Sequence, residues 1–154
     1  MAADVQIAPA GPADIDELAA ALRPADAAEI AAYGLADARE ALHASLRAST
    51  LAWAARVDGH LAAVLGLAPL SMMSDTGAPW MMGTALLDKH SRILVRLTPQ
   101  YIRRMRSHTP HLVNVVHAEN ATSVRWLQRL GFTLGPVFPL GTTGALFRKF
   151  EMKD

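Results

Sequence analysis

The stretch from residue 89 to residue 118 carries the first chemical signal in this sequence, because it contains six basic side chains and no acidic one. An acid-free stretch suits a polyanion such as a phosphorylated cofactor or a nucleic acid, but a helix with one solvated basic face gives the same pattern. Nucleic acid is the weaker choice, since the arginines at 103, 104 and 106 have neither interleaved aromatic residues nor a helix-turn-helix pattern around them. The bases are Lys89, Arg92, Arg96, Arg103, Arg104 and Arg106.

Several other classes of reactive site are excluded or weak. The chain has no cysteine, which excludes disulfides, thiolate zinc sites, iron–sulfur clusters and a cysteine nucleophile. His108 and His111 have a metal-like spacing, but Pro110 breaks the helix that would align the two rings, and no third ligand lies nearby. No Walker loop, Gly-x-Ser-x-Gly elbow or dinucleotide fingerprint is present. We therefore expect no metal site.

The length and composition bound the architecture that must position these residues. A chain of 154 residues, half of them apolar, predicts one globular domain over 1–154. The N-terminus has no basic region, and the longest apolar run, Leu61–Leu70, is shorter than the roughly 20 residues that a membrane helix requires. We expect a cytosolic protein without an export signal or a membrane span.

Three helices are predicted in the first third of the chain, after a short strand at Val5–Ala8. Each begins with an aspartate at the N-cap and a glutamate three residues later, which is a variant of the capping box. Gly34 follows the second helix, where it can take the left-handed conformation. The three pairs are Asp14 with Glu17, Asp26 with Glu29, and Asp37 with Glu40.

The remaining elements are predicted to form a mixed sheet with helices on both faces. Residues 51–57 and 60–67 flank an Asp58-Gly59 turn, which is a strong hairpin signal. One βαβ unit is predicted from a strand at 80–86, a helix at 91–107 and a strand at 111–116. Pro99 is expected to kink this helix or to divide it, with Thr98 as the cap of the second piece. The last predicted helix starts at Asn120 or Thr122 and ends at Gly131. Strands at 132–134 and 145–152 follow it, so the element order is that of an α/β protein.

The segment from Asn120 to Phe132, with its asparagine, small residues and terminal Gly-Phe, resembles a signature of the GCN5-related N-acetyltransferases. The element order is also similar to that superfamily over essentially the whole chain. The resemblance implies the acyl-CoA N-acyltransferase fold, in which two parallel strands diverge and acetyl-CoA enters between them. It implies acetyl-CoA as co-substrate and an amine as acceptor.

The resemblance also implies a set of cofactor contacts. The pyrophosphate would lie at the start of the helix after the fourth strand, which corresponds here to a loop at 87–92 with Lys89, His90, Ser91 and Arg92. That loop departs from the family pattern because it has no glycine, and Asp88 opposes its basic side chains. Asn120 would contact the pantetheine arm, although an N-cap explains it equally well, and Ser123 is assigned to the same site.

The catalytic groups implied by the resemblance are less well defined. A backbone N–H near Gly83 or Thr84 would polarise the thioester carbonyl. The alternative is structural: glycine at position 83 leaves room for Trp80 or Trp126 to pack against the sheet. Leu127 occupies the position of a family tyrosine that protonates the leaving thiolate, and leucine cannot do so. The general base would be Glu119, His117 or Asp75 near the open ends of the strands. The alternative is that the two acids are solvated loop residues and that His117 is a strand-end histidine whose ring is already hydrogen-bonded.

The departures keep a second, non-catalytic function open. The stretch from Pro79 to Phe132 also resembles the phage internal virion protein A family, whose members are acetyltransferase-like in fold. On that reading the protein is a phage or prophage structural or interaction protein, associated with the virion.

The acceptor is not identified by the sequence. It would be a small amine or a protein, selected by residues 14–48 and 70–79, and the sequence leaves a homodimer open. Methionines could line an adaptable acceptor pocket or belong to the core; they are Met72, Met73, Met81 and Met82.

Overall fold

A computed structural model describes residues 2–71, 73 and 75–153 and contains one seven-stranded sheet. Its order is β1-β2-β3-β4-β5-β7-β6, and every neighbouring pair is antiparallel except β4 with β5. This arrangement confirms the predicted mixed α/β fold class. The strands are β1 (Val5–Pro9), β2 (Leu51–Val57), β3 (His60–Pro69), β4 (Thr76–Gly83), β5 (His111–His117), β6 (Thr133–Pro139) and β7 (Leu146–Met152).

Helices cover both faces of the sheet. Along β4, Trp80 and Met82 pack against the core under α1–α3, whereas Met81 packs against the core under α5 and α6. The alternation follows from the two-residue period of a strand, which points successive side chains to opposite faces. The helices are α1 (Pro12–Ala20), α2 (Pro24–Ala32), α3 (Ala38–Ala48), α4 (Ala85–Lys89), α5 (Ser91–His108) and α6 (Ala121–Arg129).

The predicted hairpin is confirmed. Asp58 and Gly59 both have positive φ, at 50° and 84°, and join β2 to β3 in antiparallel register. Positive φ at both central residues is what the twist of a two-residue hairpin requires. β1 through β4 therefore form a meander of sequence neighbours.

β4 and β5 run parallel but pair at only two positions, Thr76 with His111 and Gly77 with Leu112. Beyond them a single side-chain bond joins the strands, from Asn114 Nδ2 to the carbonyl oxygen of Pro79 at 2.9 Å. We call the gap beyond these contacts the splay. Its open end lies at Gly83 and His117, the last residues of the two strands.

Two of the three predicted helix starts are wrong. α1 and α2 begin at Pro12 and Pro24, because proline favours the first helical position, where its missing N–H costs nothing. Asp14 and Asp26 therefore lie inside their helices. The third start is confirmed, since Asp37 accepts a hydrogen bond from the Glu40 N–H at 3.1 Å.

Other boundaries also differ from the prediction. β4 begins at Thr76 and ends at Gly83 instead of covering 80–86, and residues predicted as its last part begin the short helix α4. α5 continues through Pro99 as one helix, and the Thr98 hydroxyl donates to the Leu94 carbonyl oxygen at 2.7 Å instead of capping a second piece. β6 extends to Pro139. None of the described helices is both long enough and apolar enough to cross a membrane.

Candidate functional site

A cavity of about 170 Å³ lies in the splay. Residues of both diverging strands line it, from Pro79 to Met82 on β4 and from Asn114 to Val116 on β5. Side chains from α2 line it on one face of the sheet, and side chains from α5 and α6 line it on the other. Side chains from both helical layers therefore border one cavity between the diverging strands.

α2 presents a polar row to this cavity. Asp26, Glu29 and Tyr33 follow one another at i, i+3 and i+7, a spacing that places them on one face of a helix. Asp26 is 1% exposed and Glu29 is 8% exposed, and they are the only charged residues that line the cavity in the described part of the chain. Buried carboxylates are costly unless they are paired or hydrogen-bonded.

Each of these carboxylates binds the end of one diverging strand. Asp26 Oδ2 accepts the Gly83 N–H at 2.8 Å, and Glu29 Oε1 accepts the His117 N–H at 2.7 Å. Both N–H groups lie at the open end of the splay, where the β4–β5 ladder offers them no partner. α2 thus closes the splay by replacing the missing ladder bonds with side-chain bonds.

Arg23, the N-cap of α2, neutralises Asp26 and crosses to the other helical layer. Its guanidinium donates to both Asp26 oxygens at 2.6 and 3.1 Å, to Asp88 on α4 at 2.8 Å and to the Ser123 hydroxyl on α6 at 2.8 Å. Arg23 is 4% exposed. Burial opposes its charge, but the bonds to Asp26 and Asp88 outweigh burial and raise the pKa of Arg23.

The protonation of Glu29 is set by competing effects. Burial raises the pKa of this carboxyl to about 7, and the Asp26 charge adds to the rise, while the His117 N–H, Arg23 and Asn120 favour the ionised form. A carboxyl with a pKa near neutrality exchanges a proton readily under physiological conditions. Glu29 therefore has the property that a general base needs.

The backbone donors expected to polarise a thioester are already engaged. The Gly83 N–H binds Asp26, and the Thr84 N–H donates to the Ala62 carbonyl oxygen at 2.9 Å. A Cβ on Gly83 would lie 2.7 Å from the Leu87 Cβ and 2.9 Å from the Ala62 oxygen, so glycine is required by the close approach of α4. The expectation that Gly83 admits Trp80 or Trp126 is wrong; Trp80 packs against Gly66.

The predicted bases lie in different places around the splay. The His117 ring packs on Phe147 at 5.4 Å between centroids, while its backbone N–H binds Glu29. Glu119 is exposed in the turn before α6. Asp75 precedes β4 at the paired end of the strands, where its carbonyl accepts the His111 N–H, so placing it near the open end was wrong.

Asn120 and Ser123 lie at the start of α6 beside this cluster. Asn120 Oδ1 accepts the Ser123 N–H at 3.3 Å, which confirms the predicted N-cap. Asn120 is buried, and its amide favours the ionised form of Glu29. Ser123 lines the cavity and accepts the Arg23 bond.

The basic segment is helical rather than a loop. Lys89 ends α4, His90 is the N-cap of α5, and Ser91 begins α5. Lys89 and Arg92 are exposed. Asp88, expected to oppose these bases, is instead paired with Arg23. The first N–H groups of α5 have no intrahelical partners, so this end carries donors and positive charge together.

Four residues of this cluster were not predicted as site residues, and the spacing of the two acids among them was interpreted as a helix cap; they are Arg23, Asp26, Glu29 and Tyr33. Pro24 was the available signal: once it starts the helix, the two acids fall inside it. Leu127, Met81 and Met82 line the cavity, Met73 is 96% exposed, and Met72 lies outside the described residues. No cluster of three or more potential metal-ligating side chains occurs among the residues described.

No known family's sequence profile and no curated protein matches this chain. Solved structures do match it over nearly its whole length. The ribosomal-protein-alanine N-acetyltransferase of Brucella melitensis has a TM-score of 0.71 at 15% identity, with 97% of this chain and 99% of that chain covered. An acetyltransferase of the GNAT family from Streptococcus pneumoniae has a TM-score of 0.64 at 15% identity, with 97% and 99% covered.

A third structure, YncA of Salmonella typhimurium, is assigned as an acetyltransferase and was solved with its cofactor acetyl-CoA. It has a TM-score of 0.63 at 14% identity, with 97% of this chain and 93% of that chain covered. The similarity to phage internal virion proteins gains no support from these comparisons. The diverging β4 and β5, the flanking helices and these matches lead to one conclusion: the chain has the fold of the GCN5-related N-acetyltransferases.

Proposed function

We propose that this protein is an N-acetyltransferase that moves an acetyl group from acetyl-CoA to an amine. The observation that carries the proposal is the buried Glu29 carboxyl, which lines a cavity through the splay and has a pKa of about 7. A two-substrate transferase must hold its two reactants close together, and residues from both helical layers border this one cavity. The acetyl-CoA bound to YncA supports the choice of co-substrate.

Residues on the α5 and α6 side fit an anionic cofactor. Lys89 and Arg92 supply exposed positive charge at the start of α5, where the first helical N–H groups are free to bind phosphate oxygens. His90 and Ser91 belong to the same turn and complete the proposed phosphate site. Asn120, Ser123 and Thr84 lie at the open end of the splay and are proposed to contact the pantetheine arm.

Glu29 is proposed as the general base. In the transfer, the amine nitrogen bonds to the acetyl carbon, the carbon–sulfur bond breaks, the electron pair leaves with sulfur, and the amine proton passes to the Glu29 carboxylate. Only the ionised carboxylate accepts the proton, so activity should rise with pH through about 7. Glu119 and His117 remain proposed alternatives, and neither of their side chains is among those lining the cavity.

Calorimetric titration with acetyl-CoA, followed by release of CoA thiol in the presence of a panel of primary amines, tests the proposal. We expect binding in the wild type and in Glu29→Gln, but at least about 100-fold slower turnover in Glu29→Gln. Glu119→Gln makes the same change at the exposed alternative base, so a loss of turnover in that variant instead would assign the base to Glu119. Absence of acetyl-CoA binding, or equal turnover in Glu29→Gln and wild type, would contradict the proposal or the assigned base, respectively.

A further inference from the structure

Tyr33 directly follows α2 and lines the cavity one helical turn after Glu29. Its ring packs on Phe147 with 4.8 Å between centroids. The chain just before and after it is held by the β6–β7 turn, where Thr143 donates its hydroxyl to the Ala32 carbonyl oxygen at 2.6 Å and Thr142 lies close to Gly34. Tyr33 therefore has a fixed position beside the buried carboxyl.

The other hydrogen-bond donors along the cavity are mostly engaged. Thr98 donates its hydroxyl to the Leu94 carbonyl oxygen, and Asn114 donates its amide N–H to the Pro79 carbonyl oxygen while its Oδ1 accepts the Val115 N–H. Gly83 and Thr84 use their N–H groups within the fold. Trp126 Nε1 has no partner, but the atom is buried out of reach of water.

The Tyr33 hydroxyl is different, because it has no hydrogen-bond partner among the described residues and yet is not sealed by packing. Burial and the nearby Glu29 raise the pKa of Tyr33 above its ordinary value. The group thus remains an O–H donor at every pH at which the fold would work. It is a free donor next to the group proposed as base.

We infer that the Tyr33 hydroxyl donates a hydrogen bond to the thiolate that leaves during acetyl transfer. The inference rests on the proposed function. Transfer of an acetyl group from a thioester releases a thiolate, and Tyr33 lines the cavity in which the reactants are proposed to meet. Leu127 lines the same cavity from α6, and its side chain has no hydrogen-bond donor.

The chemistry requires a hydrogen bond rather than a complete proton transfer. A thiol has an ordinary pKa near 8.5, well below that of tyrosine, so the Tyr33 proton stays on its oxygen. The amine proton passes to Glu29 and from there to water, and the released thiolate takes its proton from water. Tyr33 stabilises the negative charge on sulfur while the carbon–sulfur bond breaks.

Kinetics with matched variants test this role, because Tyr33 and Tyr101 are the only tyrosines in the chain. We expect Tyr33→Phe to lower kcat by about 100-fold, as loss of one transition-state donor does, with little change in KM for acetyl-CoA. Its melting temperature should be unchanged because phenylalanine keeps the contact with Phe147. Tyr101→Phe should keep wild-type kcat, and adding Leu127→Tyr to Tyr33→Phe should restore part of the loss.

A second readout does not depend on knowing the acceptor. The thiol pKa of bound CoA, followed by NMR of CoA labelled with carbon-13 beside its sulfur, should rise by about one unit in Tyr33→Phe and stay unchanged in Tyr101→Phe. Equal thiol pKa values and equal kcat in Tyr33→Phe and wild type would overturn the inference alone. Failure of the wild type to bind CoA would overturn the proposed function and this inference with it.

Discussion

α2 and α5 both carry charged residues, but the fold treats these charges in opposite ways. α2 and its N-cap bury an arginine and two carboxylates: Arg23 bonds to Asp26 and to neighbouring helices, and each carboxylate bonds to a strand end. α5 leaves Arg92, Arg96 and Arg103 exposed, and none of them has an ion-pair partner among the described residues. The short helix therefore fixes its charges in place, and the long helix presents them to water.

The difference matters for what each helix can do. A buried charge has a defined geometry and a shifted pKa, which are the properties of a reacting group. An exposed arginine acts through an electrostatic field that salt screens within about 10 Å. In the proposed function, α2 therefore supplies the reacting group and α5 supplies attraction for the anionic cofactor.

The largest expected effect follows from breaking the buried pair on α2. Arg23→Met removes the guanidinium and leaves Asp26 buried without its cation, which should lower the free energy of unfolding by about 3–5 kcal/mol. Arg96→Met, the same change on the exposed face of α5, should lie within about 0.5 kcal/mol of wild type. Urea denaturation measures the free energy of unfolding of both variants. An equal loss of stability in the two would contradict the contrast between the helices.

The pH dependence of stability should separate the helices next. The pKa of Glu29 is about 7 in the folded protein and near 4.5 when exposed, so between these values the folded state binds more protons than the unfolded state. The contribution of Glu29 to the free energy of unfolding is therefore fully present below pH 4.5. It is lost as the pH rises through about 7, and the loss is on the order of 3 kcal/mol.

Glu29→Gln should abolish this part of the pH dependence, because glutamine does not titrate. The measurement is urea denaturation of both proteins from pH 4.5 to 8. Parallel curves for the two proteins would show that the Glu29 pKa is not raised by folding.

Cofactor affinity should respond to charge position on α4 and α5. Lys89→Ala/Arg92→Ala removes two charges at the start of α5, and the affinity for acetyl-CoA should fall about 10-fold or more. Arg96→Ala/Arg103→Ala removes the same charge farther along the helix and should lower affinity less. Calorimetric titration at two salt concentrations measures the acetyl-CoA affinity of both double variants. An equal loss of affinity in the two would mean that net charge, and not its position on the helix, determines binding.

The smallest effect is expected at Asn120, which contacts the α2 cluster from α6. Asn120→Ala removes an N-cap and should cost about 1 kcal/mol of stability. It also removes a group that favours ionised Glu29, so the apparent pKa in the pH–rate profile should move above 7. A stability loss with an unchanged pH profile would limit Asn120 to capping.

The sequence predicted the elements that depend on local rules. The Asp58-Gly59 hairpin, the Asp37 cap and the start of α6 are set by neighbours a few residues apart, and all three are confirmed. The element order was likewise sufficient to predict the mixed sheet.

The site depended on information that local patterns do not contain. Asp26-x-x-Glu29 and Asp37-x-x-Glu40 look alike in sequence, but one pair is buried against two strand ends and the other is exposed. Burial is decided by residues 57 to 88 positions away, Gly83 and His117, which no local rule relates to α2. The place of Tyr33 at the cavity likewise follows from tertiary packing.

The two-pair contact between β4 and β5 also bears on how the chain assembles. β1 to β4 pair in a meander of close sequence neighbours apart from the helical insertion, and β5 pairs with β7, so each half of the sheet can form without the other. Among the described residues, main-chain contact between the halves is confined to Asp75, Thr76 and Gly77 with His111 and Leu112. Amide hydrogen exchange should therefore show two separate protection groups that dock late, with residue 77 at the hinge between them.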